Sequence, residues 1–175
     1  MALLSKHRQN EIDKVIAGVY LATNKAYPDY PLTEIVEQYG VSIGLFDFGD
    51  DDNIMGAIKY PDDKHKTPLI LINKNKPPEN KTFTLAHEFG HYLLHTHDST
   101  QFRLDFEKLR GEGSEYKIEE TEANYFAGSM LMPKKILSTL LNEVLENPDL
   151  NAIAKYFGVS RKALDVRLAW LRQNQ

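Results

Sequence analysis

The stretch Phe83-Thr84-Leu85-Ala86-His87-Glu88-Phe89-Gly90-His91 decides how this chain is read. Histidines four residues apart on an α-helix lie on one face, one turn apart, and can hold one metal ion between them. Glu88 then stands beside any water bound to that ion and can take its proton. This H-E-x-x-H spacing points to metal-assisted hydrolysis.

Working outward, Pro77-Pro78 separates the motif from the segment before it, and the helix is predicted over about residues 80–95. Upstream, Ile12, Val15, Ile16, Val19 and Tyr20 recur with helical period and predict an amphipathic helix over about residues 10–24. Pro28 and Pro31 end it. A shorter helix follows with Leu32, Ile35, Val36 and Tyr39 inward and Gly40 as its C-terminal cap. Val41 to Phe48 and Ile54 to Tyr60 read as strands joined by the acidic turn Gly49-Asp50-Asp51-Asp52-Asn53, and Leu69-Ile70-Leu71-Ile72 as a third. That third strand directly precedes the motif helix, so it is either a core strand or an edge that pairs with an extended peptide.

Downstream, residues 96–117 are polar and read as a connection with a short helix around Phe102 to Leu109. Helices are predicted over residues 118–131 and 133–146, the second stopped by Asn147-Pro148. Two short helices then flank Gly158-Val159-Ser160. Leu32, Ile35, Tyr39, Gly40, Val41 and Ser42 match Leu150, Ile153, Phe157, Gly158, Val159 and Ser160 in spacing. This echo is read as two glycine-capped short helices, not as a repeat.

The 175 residues suit one domain with a small appendage, and 42% hydrophobic with 26% charged residues describes a globular protein. A net charge of −4 gives no overall pull toward nucleic acid. With no cysteine, any metal must use His, Asp or Glu. Ala2-Leu3-Leu4 is too short an apolar run for a signal peptide, no stretch reaches membrane-spanning length, and the protein is read as cytoplasmic.

H-E-x-x-H is the arrangement of zinc peptidases, and two histidines with a water leave zinc one protein ligand short. His97 occupies the metzincin third position, but Leu94 stands where that pattern needs a glycine. The other source is Glu119-Glu120-Thr121-Glu122-Ala123-Asn124. On that helix Ala123, Phe126, Ala127 and Met130 form the inward face, flanked by Glu119, Glu120 and Asn124, with Glu122 on the other flank. Glu120 is the first choice, Glu119 the second and Glu122 the third. Asn124, one turn from Glu120, can hydrogen-bond a ligating histidine, and His95, one turn beyond His91, can support the site or be satisfied at the edge of the core. His7 and His65 lie in polar surroundings and are read as exposed.

The two motifs, together with Leu131-Met132-Pro133, make the chain from about Leu32 onward resemble the ImmA/IrrE family of metallopeptidases. The resemblance implies a zincin-like fold, with His87, His91 and a downstream glutamate (Glu120) on the metal and Glu88 as the acid/base. It also implies a substrate class: a repressor of a mobile element or of a stress response, cut at one site. The metal expected is zinc, with manganese or iron as lesser candidates.

Residues 149–164 read like a helix-turn-helix, with Ser160 capping the second helix and Leu164, Leu168 and Leu171 inward. Lys155, Arg161, Lys162, Arg167 and Arg172 make this end locally basic. Contact with DNA is the lesser reading; packing on the body or docking a helix-turn-helix repressor is the main one. The expectation is an α+β fold: a peptidase domain of residues 1–146 with a three-stranded sheet packed by helices, and a helical extension of residues 147–175. Its rivals are a DNA-binding regulator with an idle metal site and a toxin-type effector. No membrane partner is expected.

Overall fold

A computed structural model describes residues 4–49, 53–61, 66–95, 102–106, 114–143 and 148–172. The elements run α1 (Lys6–Thr23), α2 (Leu32–Gln38), β1 (Ser42–Phe46), β2 (Ile54–Lys59), β3 (Leu69–Asn73), α3 (Pro78–Leu94), β4 (Phe102–Phe106), α4 (Ser114–Leu131), α5 (Lys134–Glu143), α6 (Leu150–Tyr156) and α7 (Arg161–Arg172). The class is mixed α+β, and no helix among the described residues is long and apolar enough to cross a membrane.

Local chemistry sets the ends of these elements. Ser5 caps α1 by accepting from the Arg8 backbone N–H at 3.2 Å. Pro78 opens α3, where its missing N–H costs nothing. Gly40 and Gly158 take φ of 102° and 59° after α2 and α6. The Val41 and Val159 N–H groups then reach back to the Val36 and Ala154 carbonyls, so both echoed segments end in the same glycine cap.

The three expected strands are present and a fourth joins them, in the order β1-β3-β2-β4. β3 is parallel to β1 and antiparallel to β2, and β2 is antiparallel to β4. Two readings are corrected here. β3 lies inside the sheet, with its backbone committed to neighbours on both sides, so it cannot take up a peptide as an edge strand. Phe102–Phe106 is a strand, not a helix. Its sequence Phe-Arg-Leu-Asp-Phe alternates apolar and polar residues, the period of a strand, and pairing with β2 gives that period an edge to fill.

α3 crosses one face of the sheet. Its residues from Thr84 to His91 are all buried, because α4 covers the side turned away from the strands. The expected inward face of α4 is fully buried at Ala123, Phe126, Ala127 and Met130. Ile12, Ile16 and Val19 of α1 join the same core.

The C-terminal helices lean on this body. The Ser160 hydroxyl caps α7, accepting from the Ala163 N–H at 3.2 Å, and Leu164 and Leu168 are buried. Arg167 is buried too, donating to the Met132 carbonyl at 3.3 Å and the Ser129 hydroxyl at 2.8 Å. That removes it from the basic residues offered to DNA.

Candidate metal centre

α3 and α4 meet at Gly90. A Cβ there would stand 3.0–3.2 Å from three atoms of the Phe126 side chain, so the absence of a side chain lets the two helices close. The approach carries Glu120 onto the histidine face of α3. His87, His91 and Glu120 are all buried and converge. His87 Nε2 and His91 Nε2 are 3.0 Å apart, His87 Nε2 is 3.3 Å from Glu120 Oε2, and His91 Nε2 is 3.1 Å from Glu120 Oε1. A tetrahedral ion with bonds of about 2.0–2.1 Å spaces its ligand atoms ~3.3 Å apart. The observed triangle is close to that size, and the donor set of two imidazoles and a carboxylate suits zinc, so the residues fit a metal.

Burial works against a charged Glu120, but the hydrogen bonds and charges of His87 and His91 outweigh it and hold its carboxyl well below the usual range. Glu120 is thereby held as a carboxylate, the form in which it can ligate a cation. Glu88 is fully buried on the same helix, and its Cγ lies 3.7 Å from where a Cβ on Gly56 of β2 would be. Gly56 thus lets β2 run against the glutamate of the motif.

Behind His91 runs a second line of buried groups. His91 Nδ1 is 2.9 Å from His95 Nδ1, and His95 Nε2 is 3.1 Å from Glu122 Oε2. One set of tautomers serves all of these contacts. With the His91 Nε2 lone pair kept free, its Nδ1–H donates to His95 Nδ1, and the His95 Nε2–H donates to Glu122. Glu122 in turn accepts from Arg8 of α1 at 2.8 and 2.7 Å. Burial opposes the charge on Glu122, yet Arg8 and His95 together lower its pKa.

The three glutamates thus separate: Glu120 joins the histidines, Glu122 joins His95 and Arg8, and Glu119 is half-buried beside them. Asn124 lines a cavity between α3, α4 and α7 and not the triangle itself. His65 and His97 lie outside the described residues, and His7 is exposed beside Glu11. Sequence reasoning missed Arg8, because nothing in the spacing of α1 says which of its polar residues faces α4.

The profile of the IrrE N-terminal-like domain of M78 peptidases matches residues 36–169. Immunity region protein 2 of Bacillus phage phi105 is 33% identical over 102 residues, 58% of this chain and 60% of that protein. The radiation response metalloprotease IrrE of Deinococcus radiodurans is 38% identical over 73 residues, 42% of this chain and 22% of that protein. The metallopeptidase ImmA of Bacillus subtilis is 29% identical over 103 residues, 59% of this chain and 57% of that protein. The chain spans at most 60% of the length of these three relatives. By the match over residues 36–169, the chain belongs to the IrrE N-terminal-like family of M78 peptidases.

Proposed function

We propose that this protein is a zinc-dependent endopeptidase that cuts one bond in a regulatory protein, with His87, His91 and Glu120 on the metal and Glu88 as acid/base. The observation that carries this reading is the buried His87–His91–Glu120 triangle of tetrahedral size, with Glu88 beside it on the same helix. Zinc bound there supplies a water acidified toward neutrality and a Lewis acid for a peptide carbonyl. Glu88 takes the proton from the attacking water and delivers it to the leaving amine nitrogen, so the glutamate ends each cycle as it began. His87 and His91 need only be held neutral and oriented, and the His95–Glu122–Arg8 line does that for His91.

The substrate class rests on the names of the relatives, which place one in a phage immunity region and another in a radiation response. A helix-turn-helix repressor of a mobile element or stress response, met in the cytoplasm, is the matching partner. The deciding experiment incubates the chain with helix-turn-helix repressors of that class, with and without zinc, and follows the products by mass spectrometry. Wild type should make a single zinc-dependent cut, and Glu88→Gln should bind zinc but leave the repressor whole. Full activity in Glu88→Gln removes the assignment.

A further inference from the structure

β1 stands at one edge of the sheet and β4 at the other, and among the described residues no strand pairs with the free side of β1. The Ser42 N–H donates to the Pro68 carbonyl at 2.9 Å, and the Phe46 carbonyl accepts from the Lys74 N–H at 3.0 Å. Backbone groups alternate along a strand, so Ser42, Gly44 and Phe46 spend theirs on β3, whereas Ile43 and Leu45 aim theirs outward. Natural edges are commonly guarded by lysine, proline or a bulge, and Ser42-Ile43-Gly44-Leu45-Phe46 carries none of these. Its apolar side chains are open: Leu45 is 65% exposed and Phe46 50%. Leu45 shares one face with Ile43 and with the buried Ile70 and Ile72 of β3, and Phe46 shares the other with Gly44.

We propose that this edge pairs antiparallel with β1 of a second copy of the chain, about a two-fold axis at Gly44, joining two four-stranded sheets into one of eight strands. The sequence is complementary to itself in that register. Ile43 stands opposite the partner's Leu45 as a hydrogen-bonded pair, since these are the residues with outward backbone groups. Leu45, open in the single chain, is then covered by the partner's Ile43. Gly44 meets the partner's Gly44, and the two Phe46 rings cover the space beside the glycine pair from opposite diagonals. Charge selects the direction. Asp47 and then Asp50-Asp51-Asp52 follow directly in sequence, so a parallel pairing in register would set two acidic runs side by side. In the antiparallel register Asp47 falls opposite the partner's Val41, six residues from the partner's Asp47. That is ~20 Å along the strand, more than twice the screening length of ~8 Å at physiological salt. The same patch serves both copies, as a closed two-fold contact requires. β3 separates this edge from β2, the strand that runs against Glu88, so the contact is distinct from the metal centre.

A five-residue edge makes a small interface, so the dimer should be transient, with a Kd roughly micromolar or weaker. Sedimentation of the full chain between roughly 5 and 500 µM should show the mass rising from one chain toward two. Leu45→Lys should weaken association roughly tenfold or more. Leu21→Lys, at a site 84% exposed on α1, should leave it unchanged. The chain has no cysteine, so introduced ones report the register. Gly44→Cys should form a linked dimer under oxidised glutathione, because a non-hydrogen-bonded pair holds its Cα atoms about 4.5 Å apart, within disulfide range. The added Cβ would crowd only the far end of the Leu71 side chain, at 3.0 Å, which can rotate away. Ser42→Cys and Phe46→Cys should each stay unlinked alone and should link when mixed. Circular dichroism of every variant should match wild type. The mass of one chain at every concentration, a dimer untouched by Leu45→Lys, or Ser42→Cys linking to itself in preference to Phe46→Cys overturns the proposal.

Discussion

Arg8 of α1 grips Glu122 of α4 with two side-by-side hydrogen bonds, Nε to Oε1 at 2.8 Å and Nη2 to Oε2 at 2.7 Å. The fork geometry matches a carboxylate and fixes it in two directions at once. Glu122 fixes His95, and His95 fixes the ring of His91. Arg8 lies upstream of residues 36–169, so a helix outside the family match completes the orientation of a proposed ligand.

The first prediction concerns that line of groups. Loss of an outer partner of a metal-bound histidine typically weakens metal binding about 10–100-fold. His95→Ala and Glu122→Gln should each do so here, with Arg8→Ala the mildest because its side chain is one-third exposed. Competition against a chromophoric chelator measures the affinity directly, and circular dichroism checks that the fold persists. Unchanged affinity in all three variants removes the positioning role.

A second prediction separates the neighbouring glutamates. Glu120→Ala should abolish stoichiometric zinc binding, because it removes one corner of the donor triangle. Glu119→Ala should retain the metal. Metal content after dialysis distinguishes them, and equal loss in both variants would move the ligand assignment.

The third prediction is steric. A methyl group on Gly56 would sit 2.6 Å from Thr84 Cγ2 and 2.9 Å from the Leu71 carbonyl oxygen. One on Gly90 would meet Phe126 at 3.0 Å. Overpacking of this kind costs about 1–3 kcal/mol, and Gly56→Ala should be the worse because one obstacle is backbone. Denaturant melts give the order; a Gly56→Ala protein as stable as wild type contradicts it.

Alkaline stability provides the fourth. Burial pushes the Tyr20 phenol from 10.0 up to about 12, and its hydroxyl donates to the Met130 carbonyl at 3.0 Å. The folded state holds this proton more tightly than the unfolded chain. Its contribution is therefore full below pH 10 and is lost as pH rises toward about 12. Tyr20→Phe should lose about 1 kcal/mol at neutral pH from the missing hydrogen bond, and should flatten the decline above pH 10. Parallel curves for both proteins across that window would show that Tyr20 does not titrate with unfolding.

Helical and strand periods in the sequence were enough to place α1 to α3, β1 to β3 and α4 to α7 within a few residues, because each buries one face and its spacing records which. The alternation in Phe102 to Phe106 was equally present, but a short strand needs a neighbour to be recognised, and β2 lies far away in the chain. The position of β3 was not legible for the same reason: an apolar run of this length reads alike in the middle of a sheet and at its edge.

At the site, the sequence alone determined His87, Glu88 and His91, since their relation is set within one turn of a single helix. It also narrowed the third acidic group to three glutamates on one helix. Only the tertiary structure separated them. Gly90 lets Phe126 approach, that approach turns Glu120 toward the histidines, and Arg8, more than a hundred residues upstream of Glu122, draws that carboxylate to His95. Spacing along a helix fixes what shares a face, whereas contacts between helices depend on which surfaces pack, and that is a property of the whole fold.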